Sequence, residues 1–195
     1  MRVVFLILSI VISQFVFSQS DDFQVWSSLN LRYNFNDKSN INIKQSLRTF
    51  QNSTYWRQSF TELTYAYKLN KQFKISAGYR YAFNNAIEFT YTKQRVFADM
   101  SYTKKIDNFA VKIRPRLQID IVNLTDYYTS YVNREMLELS RKVNKTVGVY
   151  ASTEVYFALP SRDLKPNYYG FFKYRLTGGV RINFSNSSSL KLFYR

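Results

Sequence analysis

The sequence predicts an all-β protein, an antiparallel up-and-down transmembrane β-barrel of about 10 to 12 strands. Apolar and polar side chains alternate from Phe23 to Tyr194, in runs separated by turns rich in Asn, Asp, Lys and Ser. Aromatic residues make up 18% of the chain, more than a soluble core needs. One apolar face and one charged face suit strands with lipid on one side and water on the other.

The N-terminus predicts a secretory signal. Met1-Arg2 carries one positive charge, an apolar stretch from Val3 to Phe17 follows, and Ser18-Gln19-Ser20 is small and polar. The apolar stretch is shorter than the roughly 20 residues of a membrane-spanning helix, which disfavours an anchor. We therefore expect a signal peptide over residues 1–18 and one barrel domain over residues 19–195.

Four strands fit the alternation in the first part of the domain. In each of them, apolar residues recur at every second position over part of the strand, and Asn-rich or Lys-rich turns follow. The predicted strands run over Phe23–Phe35, Asn40–Phe50, Trp56–Leu69 and Phe73–Phe83.

Six further strands follow. The sixth is the clearest, because its odd-numbered positions from 109 to 119 are all apolar and its even-numbered positions are nearly all polar or charged. Pro115 lies in the middle of this strand and predicts a sheet edge or a bulge there. The predicted strands run over Lys93–Thr103, Phe109–Asp120, Val132–Lys142, Thr146–Phe157, Phe171–Phe184 and Ser189–Arg195.

The connections differ in predicted length. Turns near residues 36, 70, 105, 144 and 186 are short, whereas 84–92, 121–131 and 158–167 are long and 51–55 is intermediate. Short turns on one side are typical of the periplasmic side of bacterial barrels. This assignment places the start of the first strand on the long-loop side, which is unusual for an exported barrel. A missing final strand or a miscounted strand would each account for it.

Aromatic residues concentrate where the predicted strands end. Two belts at opposite ends of an apolar band match the interfacial girdles of membrane barrels. In a soluble sandwich, so many Tyr hydroxyls would need buried partners. The belt beside the short turns comprises Tyr33, Phe35, Tyr65, Tyr67, Phe73, Tyr102, Phe109 and Phe184, and the other comprises Tyr79, Tyr81, Phe83, Phe157 and Phe172.

Several short motifs carry a family resemblance. They are Trp26, Lys68-Leu69-Asn70-Lys71, Gly78-Tyr79-Arg80-Tyr81, the turn 141–145, Glu154-Val155-Tyr156-Phe157, residues 174–178 and Phe193-Tyr194-Arg195. With them the chain resembles an uncharacterised family of outer-membrane barrels common in Bacteroidetes-type bacteria, the domain of unknown function 2490 (DUF2490). The resemblance covers the whole mature chain and implies a barrel with one further short strand. It implies no activity and no catalytic residues.

The sequence contains no His and no Cys. Acid–His pairs, Cys nucleophiles and transition-metal sites built on these residues are therefore excluded. Five acids fall on the predicted inward face, and paired carboxylates could in principle carry acid–base chemistry. Because Arg and Lys surround them, we expect salt bridges, no enzymatic activity, no cofactor and no metal. These acids are Glu62, Asp99, Asp120, Glu138 and Glu154.

The inward face is strongly basic, in a chain with a net charge of +15. Such a lumen favours anions through its field and through charge-assisted hydrogen bonds. The alternative is that Arg–Glu networks only fill the interior, since eight-stranded barrels are filled and open channels appear near sixteen strands. The candidate anion contacts are Arg48, Arg80, Lys112, Arg114, Arg116, Lys173, Arg175 and Arg181.

Together these observations predict an integral barrel in the outer membrane of a Gram-negative cell. Its role is structural or that of a narrow pore, and its partners are outer-membrane lipid and small anions. Nucleic acid is not an expected partner, because the basic residues alternate with apolar ones and no recognition motif is present. The alternative is a soluble periplasmic, lipocalin-like barrel, which would place large apolar side chains inside.

Overall fold

The described part of the chain forms a single antiparallel sheet of ten strands, and each strand pairs with the next one in sequence. A computed structural model describes residues 23–123, 127–160, 170–185 and 188–195. The predicted fold class is confirmed. The strands are β1 (Trp26–Asn34), β2 (Ser39–Phe50), β3 (Tyr55–Lys68), β4 (Phe73–Asn85), β5 (Thr90–Ile106), β6 (Phe109–Asn123), β7 (Tyr127–Lys142), β8 (Val147–Leu159), β9 (Gly170–Asn183) and β10 (Ser189–Tyr194).

The alternation in sequence becomes an alternation in burial. In β6, Leu117 is 60% exposed on the outer face, whereas Arg116 and Gln118 beside it are 7% and 4% exposed on the inner face. Successive side chains of a strand point to opposite faces, so the charged residues lie inside the curled sheet. The arrangement reverses that of a soluble protein, because charge fills the interior and apolar side chains cover the exterior.

The sheet curls until its first and last strands approach each other. Within the described residues, β1 and β10 share no hydrogen-bonded ladder. Side chains cross the seam instead, because the Trp26 ring centroid lies 4.8 Å from Cζ of Arg195 and 5.6 Å from Cζ of Arg175. The inner face therefore encloses a lumen.

Two of the predicted long connections are short in the structure. β4 continues to Asn85 and β5 begins at Thr90, so four residues connect them, and only residues 124–126 separate β6 from β7. The predicted loops 84–92 and 121–131 are therefore wrong, because Tyr- and Thr-containing strand ends continue the ladders. Ten residues separate β8 from β9, and 161–169 lie outside the described part.

The Pro115 prediction is also wrong, since β6 is an interior strand with no shift of register at this point. The β5–β6 ladder passes from Asp99↔Arg116 to Tyr102↔Ile113 and omits the two pairs between them. Pro115 has no N–H to donate, so the ladder has a gap there instead of a bulge. On its other side, Pro115 keeps its place opposite Glu135 in β7.

The turns that join β1–β2, β3–β4 and β7–β8 share one device. The side-chain oxygen of Asn36 accepts hydrogen bonds from the backbone N–H groups of Lys38 and Ser39, both at 2.8 Å. Asn70 and Asn144 do the same in the other two turns. These turns, together with those of β5–β6 and β9–β10, form what we call the short-turn end of the barrel.

Aromatic rings pair at both ends of the outer face. Tyr33 and Phe35 meet edge to face at 5.2 Å between centroids near the short-turn end, and Tyr81 and Phe83 do so at 5.1 Å near the opposite end. In the described ranges, no helix is long and apolar enough to cross a membrane. The predicted signal peptide lies outside those ranges.

Candidate functional site: a basic, ion-paired lumen

The lumen holds a set of buried carboxylates surrounded by cations. Glu62, Asp99, Asp120 and Glu154 are each 8% exposed or less. Among the described residues they form seven ion pairs with seven different Arg or Lys side chains. Cations therefore outnumber carboxylates even where the charges are paired.

Glu154 is the most connected of these acids. Its Oε1 accepts hydrogen bonds from Arg114 Nη2 and Arg134 Nη2, both at 2.7 Å. Its Oε2 accepts one from the Tyr156 hydroxyl at 2.6 Å and a longer one from Arg175 Nη1 at 3.3 Å. One carboxylate thus connects β6, β7, β8 and β9 across the lumen.

The other three acids have fewer partners. Asp120 accepts from Arg95 Nε at 2.6 Å and Nη2 at 3.0 Å, and Lys93 lies 2.8 Å away. Arg116 donates to Asp99 from Nε at 2.9 Å and Nη2 at 2.5 Å.

Asp99 also accepts a hydrogen bond from the Ser76 hydroxyl, and Glu62 accepts from Arg80 Nε at 2.8 Å. The free-energy cost of removing these carboxylates from water is offset by charge-assisted hydrogen bonds.

Several of the guanidinium groups that pair with these acids also lie over aromatic rings inside the lumen. The Cζ atoms of Arg80 and Arg116 lie 3.9 Å from the centroid of Phe60 and 3.8 Å from that of Phe97, respectively. Arg134 lies over Tyr156 at 4.6 Å. Cation–π contact adds to each ion pair. Sequence reasoning missed these rings by assigning Phe and Tyr to lipid, although residues 60 and 97 have the same parity as inward Glu62 and Asp99.

Gly78 makes room for one of these rings. It lies opposite Phe97 in the β4–β5 ladder. A Cβ at this position would lie 2.6 Å from the Leu63 carbonyl oxygen and would overlap the Phe97 ring. Glycine is therefore required here for the close approach of a neighbouring side chain.

Other predicted lumen cations contact no carboxylate within 4.0 Å in the described part of the chain. Arg48 lies between Trp26 and Phe60, at 4.1 Å and 5.0 Å from Cζ to the two ring centroids. The Nε atoms of Arg48 and Arg181 are buried without a hydrogen-bond partner there. The Lys173 ammonium lies 5.9 Å from the Tyr156 ring.

Glu138 and Lys112 differ from the expected pattern of salt bridges. They face each other in the β6–β7 ladder, yet they form no ion pair within 4.0 Å among the described residues. The expectation that Glu138 is a salt-bridge partner is therefore not met at this distance. Lys112 instead lines a polar cavity.

This cavity of about 130 Å³ lies in the lumen near the short-turn end. It is lined by five cations, by one carboxylate and otherwise mainly by neutral polar side chains. The described part of the chain contains no cluster of three or more acids that would hold a metal ion. The cations are Arg32, Lys74, Lys112, Arg114 and Arg116, and the carboxylate is Asp99.

A larger concavity of about 500 Å³ lies on the outer face, where Ala77, Ala98 and Pro115 leave space between larger apolar side chains. Its surface is almost entirely apolar. Beside it, Glu135 is an outward carboxylate and accepts a hydrogen bond from Asn133 Nδ2 at 2.9 Å. The outer face therefore offers apolar contact and little chemistry.

Solved structures similar to this chain include outer-membrane β-barrels. The translocator domain of the autotransporter NalP from Neisseria meningitidis aligns with a TM-score of 0.50 and 10% identity, over 89% of this chain and 73% of that chain. The outer-membrane phospholipase A from Escherichia coli aligns with a TM-score of 0.34 and 15% identity, over 83% and 80%. At these identities the similarity shows the fold alone.

None of the curated proteins compared with this chain matches it. A family model described as "Protein of unknown function (DUF2490)" matches residues 23–195, which is nearly all of the chain. The match agrees with the resemblance that the short motifs carry. The chain belongs to the DUF2490 family.

Proposed function

We propose that this protein is an integral outer-membrane β-barrel with a narrow lumen that admits small anions. The observation that carries the proposal is the charge imbalance of the inner face, where seven cations share four carboxylates and further cations contact none in the described residues. Fixed positive charge in a low-dielectric enclosure attracts anions and repels cations.

Lipid is the partner that suits the outer face. Leu31, Leu117 and Phe184 are each at least 60% exposed there, and aromatic rings lie near both ends. A continuous apolar exterior of this kind would be costly in water. This supports the membrane barrel over a soluble lipocalin-like barrel, which would enclose such side chains and expose the charges.

We also propose that the barrel has no catalytic role. The chain lacks His and Cys, and the four buried acids of the described residues are each held by at least one guanidinium group. A carboxylate held in this way is stabilised as an anion and is a weak general acid. The lumen acids therefore brace the barrel.

Planar bilayers test the passage of anions. The purified, folded protein is reconstituted and its reversal potential is measured under a potassium chloride gradient. We expect a reversal potential whose sign shows that chloride is more permeant than potassium. Arg48→Gln should reduce that selectivity, because Arg48 lies on the inner face and contacts no carboxylate in the described part.

Arg141→Gln is the matched control, because Arg141 lies on the outer face near Phe109 and its loss also removes one positive charge. It should leave the reversal potential unchanged. A barrel that conducts no current, or one that prefers potassium, would contradict the proposal. Recovery of the protein in the soluble fraction after carbonate washing of membranes would contradict the membrane location.

A further inference from the structure

The polar cavity near the short-turn end has a positive charge that its own residues do not compensate. Asp99 is its one carboxylate, and Arg116 and Ser76 already donate to it. Lys74 and Lys112 form no ion pair within 4.0 Å in the described part of the chain. Glu138 lies opposite Lys112 in the ladder but does not line the cavity. The positive charge of the cavity therefore exceeds its negative charge.

Arg114 provides a second, independent observation. Its Nη2 donates to Glu154, but its Nε is buried and has no hydrogen-bond partner in the described residues. The carboxylates of the lumen therefore leave at least one donor of Arg114 unused. Arg114 also lines the cavity, so its guanidinium group can contact an anion that binds there.

Size and donor chemistry indicate the kind of anion. The volume of about 130 Å³ corresponds to roughly four water molecules at liquid density, enough for a small oxyanion. Asn40, Asn42 and Thr64 line the cavity and add neutral donors to the cationic ones. Several donors around one site suit an anion with several oxygen acceptors, and several cations favour two negative charges over one.

We propose that this cavity is a binding site for a free tetrahedral oxyanion, inorganic phosphate or sulfate. Lys74, Lys112 and Arg114 bind the anion, while Arg116 stays paired with Asp99 and shapes the wall. The proposal rests on the proposed function in one respect, namely that anions enter the lumen. The site is closed off from the outer face by the sheet, which disfavours a lipid phosphate.

Equilibrium dialysis with radiolabelled phosphate tests the site, using protein folded in a detergent without phosphate groups. We expect saturable binding that sulfate displaces and that chloride displaces much more weakly. The double variant Lys74→Gln, Lys112→Gln should weaken binding by about tenfold or more, because it removes two charge-assisted contacts. Arg141→Gln, which removes one positive charge from the outer face, should leave the affinity within about twofold.

Folding of each variant is checked by its mobility on gels before and after heating. If the double variant does not fold, Lys112→Gln alone should weaken binding severalfold and Lys112→Arg should restore it. Binding that the Lys variants leave unchanged, or that chloride displaces as well as sulfate does, would overturn the proposal. So would binding of short-chain phosphatidic acid without binding of inorganic phosphate.

The two proposals fail in different ways. Saturable phosphate binding in a barrel that conducts no current would refute passage and leave the site. Chloride-selective conductance without phosphate binding would refute the site and leave the passage.

Discussion

The middle of the lumen and its short-turn end are both basic, but their charges are compensated differently. In the middle, Glu62 faces Arg80 in the β3–β4 ladder and Asp120 faces Arg95 in the β5–β6 ladder, and both couples form ion pairs. At the short-turn end, Lys74 faces Ser101 and has no such partner in the described residues. Alternation places charge inside, but residues of opposite charge that face each other are neutralised only where their side chains also meet. Asp120 and Arg95 do so, whereas Lys112 and Glu138 do not within 4.0 Å among the described residues.

The largest expected effect is on the paired region. Glu154→Gln should destabilise the barrel by about 3–5 kcal/mol, because it leaves the guanidinium groups of Arg114 and Arg134 without their shared carboxylate. The folded fraction is measured from gel mobility of unheated samples across a urea series.

Glu138→Gln is the matched control for that substitution. Glu138 is an inward Glu of β7 without an ion pair within 4.0 Å in the described part of the chain. Its urea midpoint should shift far less. Equal shifts for the two variants would show that the ion pairs do not distinguish the two regions.

A smaller loss of stability is expected at Gly78, beside the Phe97 ring that contacts the ion-paired Arg116. Gly78→Ala should cost about 1–3 kcal/mol, because the new methyl group overlaps the Phe97 ring on which Arg116 lies. Gly178→Ala is the control, since a Cβ at Gly178 meets nothing within 4 Å. The same urea series measures both, and a destabilised Gly178→Ala would contradict the steric explanation.

The smallest effect is expected at the short-turn end. Lys74→Met should change stability by no more than about 0.5 kcal/mol, because no ion pair is broken within the described residues and nearby positive charge is relieved. A large loss of stability in the urea series would indicate that Lys74 braces the fold. In that case the contrast between the two regions would disappear.

Alternation in the sequence was sufficient to predict all ten strands, because inward and outward residues differ strongly in polarity in the strand centres. The strand ends were less predictable. Tyr, Thr and Asn are common in both strands and turns, so the sequence predicts loops over Thr90–Thr92 and Ile121–Asn123, which belong to β5 and β6 in the structure. Local composition cannot show where pairing stops.

The alternation of side chains along each strand predicts that the lumen charges lie on the inner face, including the acids Glu62 and Glu154. It could not predict which residues meet across the lumen, such as Arg114 and Glu154, which are 40 positions apart. That contact depends on the curvature of the whole sheet. For Phe60 and Phe97 the two signals in the sequence disagree, because the alternation places these rings inside whereas their residue type favours lipid.

The seam between β1 and β10 has a consequence for how the barrel assembles. Every ladder among the described residues joins strands that are adjacent in sequence, so each pairing closes only a short loop and costs little chain entropy. Bringing Trp26 against Arg175 and Arg195 is the step that joins the two distant ends of the sheet. Joining these ends closes a loop of nearly the whole sheet, which costs more chain entropy than any hairpin, and the contacts of Trp26 offset part of that cost.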